Sequence, residues 1–270
     1  MRLRAVILIE CALYFACSLL LCRSTSAQVN IFDAETSQQM ELGHGWYNKI
    51  AFNLTAHAGN TDLLTLKTRF RSDYLAENYH LFILTNLHQG SKDNKSFIDK
   101  GLIHLRGIRS VSQGAAVETF AQKQFNDFIR LQDRNLVGGG FRISPLRKVT
   151  KSESHRAFNP YIGIGIMWED EVINDDASEA KIESNIIRST NYVTWTWRID
   201  ERLTSAATGY YQFQPASFSD YRILFEGSIG FRLTKKLGFT TWLGFRYDNE
   251  PPANVKKHDL EIVNGLNFTF

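Results

Sequence analysis

Beyond residue 22 this chain has no cysteine: Cys11, Cys17 and Cys22 are its only three. Neither a disulfide nor a cysteine-ligated zinc site can therefore staple the remainder. Proline is nearly as scarce, with five in 270 residues. After the N-terminal stretch no apolar run approaches the roughly 20 residues that a membrane-crossing helix needs, which excludes a helical membrane bundle. Charge of one sign is missing too. The 31 Lys and Arg against 28 Asp and Glu leave +3, and no basic cluster accompanies the pI of 8.7, so a nucleic-acid partner is not expected. No His-Glu-x-x-His motif or histidine cluster is present, so no metal and no cofactor is expected. Gly138-Gly139-Gly140 and Gly163-Ile164-Gly165 lack the lysine and helix start of a phosphate loop and read as close-packed strand glycines. Aromatic residues, by contrast, are plentiful: 13% of the chain, led by 19 Phe. At 43% apolar with a mean hydropathy of −0.25, the averages alone resemble those of a soluble protein.

The three cysteines belong to one segment. Arg2 and Arg4 precede an apolar stretch from Ala5 to Cys22, and small polar residues follow to Thr25-Ser26-Ala27. This is the layout of a secretory signal peptide over residues 1–27, cleaved after Ala27, with a polar periplasmic lead over 28–44. Glu10 inside the stretch argues against a retained anchor. Leu21 before Cys22, and Tyr14-Phe15 before Cys17, argue against lipidation. Losing Arg2, Arg4 and Arg23 but only Glu10 brings the net charge from +3 to about +1.

From residue 45 to the end the chain alternates with period two. The clearest case sets Tyr221, Ile223, Phe225, Gly227, Ile229 and Phe231 against Arg222, Leu224, Glu226, Ser228, Gly230 and Arg232. Side chains on a strand alternate between faces, so each segment has one apolar and one polar, glycine-bearing face. Twelve such segments are expected: 46–57, 62–74, 78–88, 97–108, 115–126, 129–143, 158–169, 183–199, 202–214, 220–233, 237–249 and 258–270. In 115–126 neither face is clearly apolar, so its register stays open. Most segments exceed the roughly 9–11 residues that a tilted strand needs to cross a bilayer. Tight connections (75–77, 111–114, 200–201, 234–236) alternate with longer ones (89–96, 170–182, 215–219, 249–257), though 58–61 and 144–157 break the rule. Pro145, Pro215, Pro251 and Pro252 fall in connections and Pro160 at a strand start. Trp46, Tyr74, Tyr79, Phe158, Trp168, Phe213, Tyr221, Tyr247 and Phe270 fall at strand ends, as interfacial girdles do. A soluble sandwich also alternates, but its exposed face carries many charges. Here the polar face holds small residues and the apolar face is almost free of charge. The pattern predicts an all-β protein, a transmembrane antiparallel up-and-down β-barrel of 12 strands over residues 45–270.

The ending Leu266-Asn267-Phe268-Thr269-Phe270 resembles the signal by which bacterial outer-membrane barrels are recognised by their insertion machinery, with Leu266, Phe268 and Phe270 as the signal residues. An ordered pattern runs through the middle: Gly45-Trp46, Gly59-Asn60-Thr61, Glu118-Thr119-Phe120-Ala121-Gln122, Asp127-Phe128, Leu131, Arg134, Gly138, Gly140, Arg142 and Arg188-Ser189-Thr190-Asn191-Tyr192. It is similar to that of the salt-induced outer-membrane protein (YdiY-like) family, a domain-of-unknown-function group of bacterial barrels. The resemblance implies a Gram-negative outer membrane and its lipid as surroundings. That family has no established activity, so no catalytic residue carries over.

An outer-membrane lipase would need a convergent His and Ser. His57, His80 and His104 fall on the inward face, and no Ser follows at matching spacing. The acidic run Glu169-Asp170-Glu171 with Asp175-Asp176 reads as a solvated external loop, with a divalent-cation site as the alternative. The stronger signal is the inward face. It collects Arg69, Arg71, Arg134, Arg142, Arg188, Arg198, Arg222, Arg232 and Arg246, together with Lys49, Lys67, Arg106 and Arg130. Its acids are fewer: Glu118, Glu226, Asp73, Glu169, Asp248, Asp259 and Glu261. A basic narrow lumen would favour small anionic solutes. The alternative is a paired network that plugs a structural or stress-related barrel, and a lipid-active enzyme stands third.

Overall fold

A computed structural model describes residues 43–59, 62–93, 95–145, 157–175, 180–234, 237–252 and 254–268. The proposed signal peptide, most of the lead, the cysteines, Asn60, Thr61, Asp176 and Phe270 lie outside them. The described residues form β1 (Gly45–His57), β2 (Leu63–Leu75), β3 (Tyr79–Lys92), β4 (Lys95–Ser112), β5 (Ala115–Asn126), β6 (Leu131–Ile143), β7 (Ala157–Asp175), β8 (Ala180–Arg198), β9 (Leu203–Gln214), β10 (Ser217–Arg232), β11 (Leu237–Asp248) and β12 (His258–Phe268). All twelve join one antiparallel sheet in sequence order.

Period two fixes which way each side chain faces. Ile50, Phe52, Leu54, Ile164 and Ile166 are on the outside and more than half exposed, whereas Arg71, Glu118, Arg134 and Arg188 on the other face are buried. Contacts between non-neighbouring strands show why. Tyr192 of β8 bonds Glu118 of β5, and Arg222 of β10 bonds Glu169 of β7. Three strands apart in a flat sheet is about 14 Å, too far for such bonds, so the sheet curls with its polar face concave. Glu226 of β10 even interacts with Arg69 of β2. This is a transmembrane up-and-down barrel, with its polar face turned into the lumen. Aromatic pairs mark both rims. Trp46 stacks near Tyr74 at 5.0 Å, and Phe158 meets Trp197 at 5.7 Å, on the lower rim where β1 begins. Tyr221 lies 6.1 Å from Tyr211 and 5.7 Å from Tyr247 on the upper rim.

Three expectations change. Except for 249–257, the longer connections turn out to be mostly strand: Asp170 pairs with Asn185 and Asp175 with Ala180, so β7 and β8 continue as a hairpin past the apolar belt. Alternation of apolar residues stops where lipid stops, but backbone pairing does not. Second, residues 127–129 form a 3-10 turn. The Phe128 N–H donates to the Asn126 side chain, and Arg130 closes the turn at φ 59. Arg130 therefore sits in a turn, not on an inward strand position. Third, β7 begins before Pro160. The β6 ladder ends at Ile143 opposite Ile162, so at Pro160 only β8 pairs with β7.

The inner face is also less polar than the sequence pattern implied. Phe120, Leu136 and Met167 cluster inside, as do Phe82, Leu84, Ile108 and Ala116. The clusters need the glycines opposite them. A Cβ on Gly138 would lie 2.6 Å from Ile166 O and from the Phe120 ring, and one on Gly140 would fall against Ile164 O and 2.7 Å from Gly165 Cα. The obstacle at Gly140 is backbone, which cannot step aside. Gly140→Ala is expected to lower the unfolding free energy by about 1–3 kcal/mol, read from the urea midpoint of the refolded barrel.

Candidate functional site: a charged lattice in the lumen

Strands β4 to β8 and β10 to β12 bring ionic side chains together in the lumen, and the lattice has two tiers. In the upper tier Arg222 of β10 is the hub. Its Nε donates to Asp248 Oδ2 at 3.0 Å, its NH1 to both oxygens of Glu169 at 2.9 and 3.1 Å, and its NH2 to Glu171 at 3.5 Å. Arg134 donates to Glu171 through Nε and NH2. Arg188 grips Asp220 with two bonds of 2.9 and 2.8 Å and reaches Glu169 at 3.4 Å. Arg246 stands further off, 3.6 Å from both Asp248 and Asp259. In the second tier the Tyr192 hydroxyl donates to Glu118 at 2.8 Å and accepts from Arg142 Nε at 2.8 Å. Arg142 and Arg106 hold the same carboxylate at 3.4 and 3.6 Å. The Arg142 guanidinium also lies over the Tyr161 ring at 5.3 Å.

Toward the lower rim Arg71 binds Asp73 through Nε at 2.7 Å and NH2 at 2.8 Å, and His80 Nε2 shares that carboxylate at 2.8 Å. His104 Nδ1 meets Gln122 Oε1 at 2.9 Å, and Gln122 passes the chain on to Gln124. These inward groups are buried, so each unmet hydrogen bond would cost about 1–3 kcal/mol. Mutual pairing is what makes so polar an interior stable. Outside the span, burial and then the Asp99 carboxylate push the Asp127 carboxyl up from its ordinary value.

The named charges divide in two. Arg71, Glu118, Arg134, Arg142, Arg188, Arg222 and Arg246 are buried within the lattice. Arg69 faces inward but stays accessible, donating to Asn86 at 3.0 Å. Glu226 is half-buried, within reach of Arg69 and Glu261. Arg198 and Arg232 lie exposed at the lower rim. Leu266 faces outward, and the Phe268 backbone pairs with Leu237.

Two acids change the electrostatic balance. Glu169 and Glu171 are buried inward rather than on a solvated loop, with Asp170 between them outside, and Asp220 anchors Arg188. Continuing period two beyond Glu169 and back from Arg222 would have placed both Glu171 and Asp220 inside. With them, the fully buried upper tier holds Arg134, Arg188, Arg222 and Arg246 against Glu169, Glu171 and Asp248. The large basic excess expected of the lumen is thus reduced, and what remains lies at the Arg106–Arg142–Glu118 cluster and at accessible positions such as Lys67 and Arg69. His88 also faces inward and is buried, which the sequence reading missed. The residues 115–126, left open before, turn Ala116, Glu118, Phe120, Gln122 and Gln124 inward. Among the described residues no group of three His, Cys, Asp or Glu is placed to hold a metal ion.

A membrane barrel with an ion-paired interior is the class that these features define. Residues 50–270 match the family model "Protein of unknown function, DUF481". The chain belongs to that family, the YdiY-like group of outer-membrane β-barrels. Searching curated proteins returns no significant match. Among solved structures the chain is similar to a NanC porin at 10% identity and TM-score 0.41, covering 83% of this chain and 99% of that one. It is also similar to the CymD monoaromatic hydrocarbon channel at 8% identity and TM-score 0.43, covering 84% and 80%. A KdgM porin is similar at 9% identity and TM-score 0.36, covering 83% and 99%. Likenesses this distant carry no substrate over to this chain.

Proposed function

We propose that this protein is an outer-membrane barrel whose lumen is plugged by its own side chains, a structural envelope component that does not conduct at rest. The observation that carries this reading is the reach of Arg222, which ties β10 to β7 and β11 through Glu169, Glu171 and Asp248. Around it Leu136, Met167, Leu224, Gln212 and Arg188 are less than 2% exposed, so the interior beside β6 to β10 is close-packed. Residues 1–27 export the chain. Leu266, Phe268 and Phe270 present it to the insertion machinery, and outer-membrane lipid covers its apolar face.

Refolded protein in a planar bilayer tests the plug. Wild type is expected to add no stepwise conductance, and the double variant Arg222→Ala with Glu169→Ala to add discrete steps. Regular steps from wild type overturn the proposal. One observation favours a second reading, a narrow channel for small anionic solutes. The inward-facing Lys49, Lys67 and Arg69 of β1 and β2 are accessible, unlike the buried arginines opposite. Under that reading wild type conducts, and its reversal potential in a salt gradient reports anion preference. A preference for cations removes it.

A further inference from the structure

The upper tier of the lattice leaves donors unused, and they border a cavity. Ile129, Leu131, Ile173 and Pro252 supply apolar wall, and Arg134 and Arg246 supply charge, around a space of about 20 Å³. That volume is enough for one water-sized or halide-sized guest. Glu171, Asp248 and Glu250 also line it. However, the two buried carboxylates are already occupied: Glu171 by Arg134 and Arg222, and Asp248 by Arg222 at 3.0 Å.

The donors are not so placed. Arg134 is 2% exposed and Arg246 5%, and Arg134 NH1 and both Nε and NH1 of Arg246 have no hydrogen-bond acceptor. A guanidinium has five N–H donors and no acceptor, so only a further acceptor can satisfy what remains. The charges are balanced in number but unevenly shared. The four buried arginines of this tier face three buried carboxylates, and the acid that offsets the fourth arginine, Asp220, is bonded to Arg188. Arg246 has only distant contacts, 3.6 Å to Asp248 and 3.6 Å to the partly exposed Asp259. A buried, under-paired cation beside a cavity of this size calls for a small anion.

From this geometry we infer that the cavity between Arg246 and Arg134 is a binding site for one monatomic halide, chloride being the natural occupant. The site lies under the 249–252 connection at the upper mouth of the lumen, where it is reached from the loop side. It supplies the acceptor that these buried guanidinium N–H groups lack. It does not depend on whether the lumen conducts.

Crystals of the refolded barrel soaked in bromide give the direct test. The expected result is one anomalous peak within hydrogen-bond reach of Arg246 and Arg134, and density for water alone at that place overturns the inference. A second measurement uses the folded barrel in solution. The thermal unfolding midpoint of wild type should rise and saturate as chloride replaces gluconate at constant ionic strength, while Arg246→Gln should show no chloride-specific rise. Equal chloride dependence in the two proteins overturns the site. If Arg246→Gln does not fold, the bromide peak in wild type still decides.

Discussion

Arg222→Met is expected to lower the unfolding free energy by about 3–5 kcal/mol, measured by urea titration of the barrel in lipid vesicles. The loss comes less from the bonds removed than from what they leave behind. Glu169 and Glu171 sit on β7 and Asp248 on β11, all nearly inaccessible to water, and Arg222 is the one side chain that bonds all three. Methionine fills the volume of the arginine but supplies no charge. Arg188 and Arg134 then hold one glutamate each, and Asp248 keeps the Glu250 N–H at 3.1 Å but, of its cations, only the longer contact to Arg246. Replacing Arg222, Glu169 and Asp248 together by apolar residues of similar size should cost far less, because no orphaned charge remains. A loss below about 1 kcal/mol in the single variant would mean that water reaches the tier and solvates the carboxylates.

Ile164→Arg is the second large effect, and its origin lies on the opposite face. On β7, Phe158 belongs to the lower aromatic girdle and Trp168, whose Nε1 donates to Asn185 at 2.7 Å, to the upper one. Ten residues of strand are about 33 Å long and, tilted by about 45°, span about 23 Å along the membrane normal. Ile164 is near the middle of that span and 60% exposed toward lipid. An arginine there should cost about 2–4 kcal/mol in folding from urea into bilayers. The same change at Ile229, nearer the lower rim, should cost less, and at the inward Ser228 less again. Equal tolerance at Ile164 and Ser228 would invert the two faces of the barrel.

Much of this architecture could be read from alternation alone. The Tyr221 to Phe231 series and its successor at Leu237 to Tyr247 define β10 and β11 to within a few residues of the observed Ser217–Arg232 and Leu237–Asp248. The hairpins at the upper rim could not, because beyond lipid both faces meet water and residues such as Asp170 and Glu171 no longer alternate in polarity. β5 was ambiguous for a related reason. Its outward face mixes Val117 and Phe125 with Ala115, Thr119, Ala121 and the charged Lys123, while its inward Phe120 packs against Leu136 and Met167. The site was half visible. That Arg222 and Glu169 share a face follows from parity. That they meet across the lumen depends on curvature, which no local pattern encodes.

The ladder has a kinetic corollary. Among the described residues each strand pairs with its neighbours in sequence, so hairpins can form one after another with little loop entropy to overcome. The lattice is the opposite kind of contact: Tyr192 reaches 74 residues back to Glu118, and Arg222 reaches 53 residues back to Glu169. Backbone pairing can thus run ahead, strand by strand, while the second tier waits for β8 and the upper tier for β10. A strand inserted one residue out of register would turn its arginine toward lipid and leave a carboxylate alone inside. The lattice therefore ties the stability of the barrel to correct strand register, since a slipped strand forfeits its ion pairs.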